Sequence, residues 1–164
     1  MDFEKELETE IALLREIATF DVLDAEALRI LAISAEEKTL AAQDLLFRAG
    51  ETADCGYILA SGRLALVDPQ RPEGRQVVQE VRAVALVGET ALIAAGPRPA
   101  TAVAMEPSVV LRLSRAAFLK VLEANPASAA KLRRAFAKRL ERMMKALDSV
   151  RVELEAPRPA PRRR

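Results

Sequence analysis

Between Glu36 and Leu113 the apolar residues come in short runs broken by turn formers, whereas on either side they recur every three or four positions. Leu7, Ile11, Leu14 and Ala18 fall on one helical face and Glu and Lys fill the other, which predicts a helix over Phe3–Thr19. A second, shorter helix follows, with Asp24 as its N-cap and Leu28, Leu31 and Ala32 facing inward. The middle of the chain predicts eight short strands: Lys38–Ala41, Asp44–Arg48, Gly56–Ala60, Arg63–Asp68, Gln76–Val81, Val84–Leu86, Thr101–Met105 and Val109–Leu113. Turn signals at Gly50-Glu51, Ser61-Gly62, Pro69 to Gly74 and Glu106-Pro107 separate them. Strands of this length at this spacing suggest a sandwich or jelly roll.

After the strands the helical period returns. Ser114 is placed to cap a helix running to about Ala124, and Asn125-Pro126 restarts the chain as N-cap and first helical residue of a helix reaching about Glu155. Within that helix Phe136, Leu140, Met143, Leu147, Val150 and Leu154 step by 4, 3, 4, 3 and 4, an a/d seam. Such a seam either covers the helix's own domain or pairs two copies of the chain. It outruns what one small barrel needs, which favours a homodimer through this helix. The expected organisation is a single domain over residues 1–155, made of N-terminal helices (1–34), a β-roll (36–113) and C-terminal helices (114–155). The Pro- and Arg-rich tail 156–164 is expected to be extended and disordered.

Composition changes this picture mainly by exclusion. A chain of 164 residues with 51% apolar content can bury one real core. Its net charge of +1 provides no global field for nucleic acid or membrane. There is no histidine for general base work, and the single cysteine, Cys55, excludes an internal disulfide; it is expected in a turn. No carboxylate cluster has metal-ligand spacing, so neither a metal, a cofactor nor catalysis is expected. No apolar run approaches the ~18 residues of a membrane span. The acidic N-terminus does not read as a secretory signal, and a cytoplasmic protein is expected.

One stretch carries candidate chemistry: Val87 to Ala104, VGETALIAAGPRPATAVA. Gly88 permits a turn in which backbone approaches a ligand closely. A short helix beginning there would aim unpaired N–H groups at the turn. Glu89 offers an acceptor for hydroxyls such as those of a ribose. Arg98, beyond the Gly96-Pro97 break, offers a planar cationic fork suited to phosphate. Acceptor, amides and cation together describe a pocket for a nucleotide monophosphate. On the plainer alternative, Gly88 serves only the turn, Glu89 caps a helix and Arg98 pairs with a surface carboxylate.

The stretch resembles the phosphate-binding cassette of the cyclic nucleotide-binding domain family, the sensor module of catabolite-activator-type regulators, gated channels and kinase regulatory subunits. Gly88, Glu89, Ala91, Leu92, Pro97, Arg98, Ala100 and Thr101 match the family pattern, and Phe47, Gly50, Tyr57, Ile58, Ser61 and Gly62 fit its strand line. The resemblance implies an eight-stranded jelly-roll β-barrel with flanking helices, mainly β. It implies a ligand site at Gly88, Glu89, Thr90, Ala91, Arg98, Pro99, Ala100 and Thr101, taking a cyclic purine monophosphate such as cAMP or cGMP. Phosphate would lie on Arg98 and ribose on Glu89, with the long helix closing over the base and an effector protein or dimer partner sensing the change.

Three departures from the pattern stand out. Pro99 has no N–H to offer a phosphate, Arg82-Ala83-Val84-Ala85 replaces a glycine-rich turn, and Met143 and Met144 fall where relatives place hydroxyls that read the base. They keep a second hypothesis open: a protein-interaction module on the same scaffold with a vestigial pocket. No helix-turn-helix segment follows the long helix, so sequence-specific DNA binding by this chain alone is not expected.

Overall fold

Helix α1 (Asp2–Arg15) has acidic residues in its first turn and buries Leu7 and Leu14 on the face that the periodicity marks. It stops short of the predicted Thr19. Ile17 is extended (φ −90°, ψ 114°), and residues Ala18–Val22 form a separate 3₁₀ turn, leaving Ala18 exposed rather than inward. The change of direction buries Ile17 and Phe20, whose ring lies 6.1 Å from that of Phe118. That tertiary burial outweighs continuation of a helix that would run on through Ile17, Thr19 and Phe20, residues of lower helix propensity. Helix α2 (Ala25–Ser34) begins as predicted, with Asp24 Oδ1 accepting from the Ala27 N–H at 2.8 Å. This computed structural model describes residues 2–155, without the side chains of 139, 140, 143 and 146–155.

Ten strands follow: β1 (Glu36–Leu40), β2 (Leu45–Phe47), β3 (Thr52–Ala53), β4 (Cys55–Ser61), β5 (Arg63–Val67), β6 (Val77–Arg82), β7 (Ala85–Val87), β8 (Gly96–Pro97), β9 (Thr101–Ala104) and β10 (Ser108–Ser114). They form a sheet in the order β1-β10-β4-β7, a second in the order β2-β9-β5-β6, and a two-stranded β3-β8 pair. Mainly β, with four α-helices around jelly-roll-like sheets, the architecture is the one expected. The eight predicted strands are all present, and β3 and β8 are additional. Two residues are too few to alternate, and Gly96-Pro97 reads as a break because Pro97 lacks an N–H; it pairs with Thr52 at a short edge where that donor is not needed. Cys55 opens β4 and is buried, which corrects the expectation that it lies in a turn.

The core has two parts, one on each face of the β1-β10-β4-β7 sheet. Ile58, Leu111 and Leu113 join Leu14, Phe20, Leu31, Leu92 and Phe118 beneath the helices. Tyr57, Leu59 and Val110 point the other way, between the sheets, against Leu64, Ala102 and Ala104. Because β4 is covered on both faces, its sequence is a continuous apolar run rather than an alternation.

Ser114 caps helix α3 (Arg115–Ala124) by accepting from the Ala117 N–H. Helix α4 (Pro126–Glu155) restarts at Pro126. The Asn125 side chain donates back to the Val121 carbonyl, closing α3 rather than capping α4. Of the predicted seam only Phe136 is described, half-buried at the base of α4; the side chains of Leu140, Met143, Leu147, Val150 and Leu154 lie outside the described residues. No helix of the described residues is long and apolar enough to cross a membrane.

Candidate functional site

Gly88 ends the β7 segment in the left-handed region (φ 74°, ψ 36°), which glycine adopts without a steric penalty. It turns the chain into a single 3₁₀ turn, Glu89–Leu92, shorter than the helix expected. Leu92 is fully buried under the helices and anchors this cassette. The Ala91 N–H donates to the Gly88 carbonyl at 3.1 Å, so this amide serves the turn itself rather than a ligand. The other side of the loop is fixed at Arg98, whose N–H donates to the Glu51 carbonyl and whose carbonyl accepts from the Gly50 N–H, each at 2.8 Å. These bonds continue the β3-β8 pairing and fix the point from which the Arg98 side chain departs.

That side chain runs inward and is only 6% exposed. Its Nη2 donates to the Cys55 carbonyl at 2.7 Å and reaches Cys55 Sγ at 3.4 Å. Its Cζ lies 4.3 Å from the centre of the Phe47 ring and 5.7 Å from that of Tyr57, cation–π distances. Burial and a hydrogen bond with Cys55 push the Tyr57 phenol up to about 12, so it stays neutral beside the guanidinium. Among the described residues Arg98 forms no salt bridge. Its Nη1 is buried and has no hydrogen-bond partner among the described residues. A Cβ built on Gly88 would overlap that nitrogen, so any other residue here would push the end of the Arg98 side chain aside. Leaving a buried donor unpaired costs about 1–3 kcal/mol, more for a charged group. An anion presented to Nη1 would remove that cost.

A cavity of about 300 Å³ borders Arg98, lined also by Ala53, Gly88, Thr90, Ala91 and Pro99. It thus gathers five of the eight predicted site residues: Gly88, Thr90, Ala91, Arg98 and Pro99. Ala100 is buried outside it, and the Thr101 hydroxyl accepts from the Ala49 N–H at 2.9 Å, bracing the loop before β3. Glu89 is turned elsewhere. Its Oε1 accepts from the Thr19 hydroxyl at 2.7 Å, and its side chain borders a separate cavity of about 110 Å³ with Thr19, Leu132 and Phe136. The guanidinium and carboxylate expected to share one pocket therefore line two. Sequence reasoning missed the groups that hold them: Thr19, which had been placed in a continuous helix, and the Cys55 carbonyl, a backbone atom that no residue type announces. Phe47 and Tyr57 were legible as strand residues but not as the aromatic platform of Arg98.

Comparison with known proteins bears on this arrangement. The family model of the cyclic nucleotide-binding domain matches residues 37–125, which include β2 to β10, all of β1 but its first residue, and the whole cassette. Uncharacterized NTE family proteins of Mycobacterium bovis and Mycobacterium tuberculosis are 35% identical over 127 residues, or 77% of this chain. The chain spans 21% of the length of these curated relatives. The N-terminal domain of a transcriptional regulator from Streptomyces coelicolor is 34% identical, with a TM-score of 0.73 over 82% of this chain and 94% of that one. The regulatory domain of Toxoplasma gondii PKA, solved with cAMP, is 29% identical, with a TM-score of 0.66 over 72% of this chain and 45% of that one.

Proposed function

The chain belongs to the cyclic nucleotide-binding domain family, and on that premise we propose that it is a sensor module binding a cyclic purine monophosphate through Arg98. The observation that carries the proposal is the Nη1 of Arg98, a buried cationic donor without a hydrogen-bond partner among the described residues, on a residue that lines a cavity. A phosphate oxygen is the ligand chemistry that satisfies it, since a guanidinium N–H donates a charge-assisted hydrogen bond to phosphate while Nη2 stays on the Cys55 carbonyl. The Toxoplasma relative, solved with cAMP, supports the choice of ligand class.

The ribose would engage Glu89 once its bond to Thr19 opens. That step exchanges one hydroxyl donor for another. Release of Thr19 would free the 3₁₀ turn, whose Val22 carbonyl accepts from the Ser128 hydroxyl of α4 at 2.7 Å. Two hydrogen bonds, Thr19 to Glu89 and Ser128 to Val22, thus tie the cassette and the long helix to the same 3₁₀ turn. Through it the occupancy of the pocket would bias the position of α4, and an effector or dimer partner would sense the shift. For a switch, the ligand must favour the closed arrangement by a few kcal/mol. In this proposal the module has no catalytic role.

A second hypothesis, an interaction module with a vestigial pocket, is favoured by one set of observations: Glu89 is engaged with Thr19, the Ala91 amide is used within the turn, and Pro99 has no amide hydrogen. Calorimetric titration separates the two. With cAMP and cGMP, wild type is expected to release saturable binding heat that Arg98→Ala abolishes. Absence of heat with wild type, or heat that survives the substitution, favours the interaction module.

A further inference from the structure

We infer that Arg115, the first residue of α3, is a positioning residue that holds two walls of the Arg98 cavity in register and ties both to the C-terminal helices. Its Nε donates to the Ala91 carbonyl at 2.8 Å, and its Nη2 donates to the Ala53 carbonyl. Its backbone N–H donates to the Asp54 carbonyl at 2.8 Å. Ala91 belongs to the cassette and Ala53 to β3, and both border the cavity. One guanidinium therefore bridges two segments far apart in sequence, adding to the β3-β8 pairing and to the bond from Arg98 to Cys55 that also join them.

The acceptors are ordered. The carbonyls of Ala53, Asp54 and Cys55 are taken in succession by Arg115 Nη2, Arg115 N and Arg98 Nη2. The two arginines thus grip opposite ends of one three-residue run, with Arg112 holding the Asp54 side chain at 3.4 Å. Among the described residues Arg115 forms no salt bridge, so its charge is directed at carbonyls alone. The task needs an arginine. A planar fork presents two donors at a fixed angle, whereas a lysine ammonium is a single point that satisfies one carbonyl at a time. When Arg98 shifts toward an anion, its hold on the Cys55 carbonyl changes, and Arg115 is the group through which that change in the run meets the first turn of α3.

This role rests on the nucleotide proposal only for its effect on affinity, and the test has an arm that uses no ligand. Hydrogen exchange of the unliganded protein is followed by mass spectrometry for wild type, Arg115→Lys and Arg115→Ala. Arg115→Ala is expected to speed exchange about tenfold across residues 88–95, leaving β4 and β10 unchanged, with Arg115→Lys intermediate. Exchange that is unchanged in the cassette, or that rises equally in the sheets, overturns the role; if Arg115→Ala does not fold, Arg115→Lys decides. In the second arm cAMP is titrated by calorimetry, and Arg115→Ala is expected to weaken binding about tenfold while Arg98 remains in place. Unchanged affinity together with a loosened cassette overturns the link to the ligand cavity. No binding by wild type overturns the nucleotide proposal instead, and the exchange arm still decides whether Arg115 positions the walls.

Discussion

At the scale of single residues the site depends on Gly88 and Arg98 together. Gly88 was legible as a turn glycine, and the left-handed φ of 74° bears that out. Its second role, leaving space for Arg98 Nη1, was not legible, because that is a close approach between a bare backbone turn and a side chain ten residues further on, with a loop between them. Gly88→Ala would place a Cβ against this nitrogen and a non-glycine residue in the left-handed region. The backbone strain alone is about 1–2 kcal/mol. Urea unfolding is expected to show a loss of at least that size; a variant as stable as wild type would contradict the strain at this turn as well as the close packing of Arg98 against it. The direction of Glu89 was equally hidden. A carboxylate beside a turn has two faces to choose from, and the choice fell to Thr19, whose place depends on where α1 ends.

At the scale of elements the chain was read well wherever a pattern was long enough to repeat. The caps Asp24 and Ser114, the restart at Pro126 and eight strands could be read because each follows from local chemistry. The end of α1 and the β3-β8 pair could not. The first is decided by burial of Phe20 against Phe118, the second by two-residue pairing across the cassette. Helix α1 also carries an electrostatic cost. Glu10 lies in the cleft between α1 and the β1-β10-β4 face, with Glu6, Glu37 and Lys5 around it and Leu13 and Leu111 as apolar walls. Burial, then Glu37 and Glu6, raises its carboxyl above the ordinary 4.5. A raised folded-state value means that the folded protein prefers the protonated form. This favourable contribution is complete below 4.5 and is lost as pH climbs through the raised value. Glu10→Gln is therefore expected to melt higher than wild type at pH 7 and to lose that advantage below pH 4.5, followed by circular dichroism. A lower melting temperature at neutral pH would contradict the assignment.

At the scale of the whole molecule, the family and the jelly-roll-like architecture were legible from one cassette and a strand rhythm, because both are local patterns. Assembly is a matter of surfaces and calls for measurement. The seam that begins at Phe136 predicts that the chain sediments as a dimer at micromolar concentration and that Leu147→Glu shifts it to monomer. A monomeric wild type would leave the seam to its own domain. Phe136 borders the cavity of Glu89, so the base of the seam and the cassette share a wall. The central claim is that Arg98 holds a partnerless cationic nitrogen ready for phosphate. A crystal structure of the chain grown with cAMP tests it most directly. The account predicts a phosphate oxygen within about 3 Å of Arg98 Nη1. A nucleotide bound elsewhere, or an Arg98 whose Nη1 still meets no acceptor with cAMP present in excess, would contradict it.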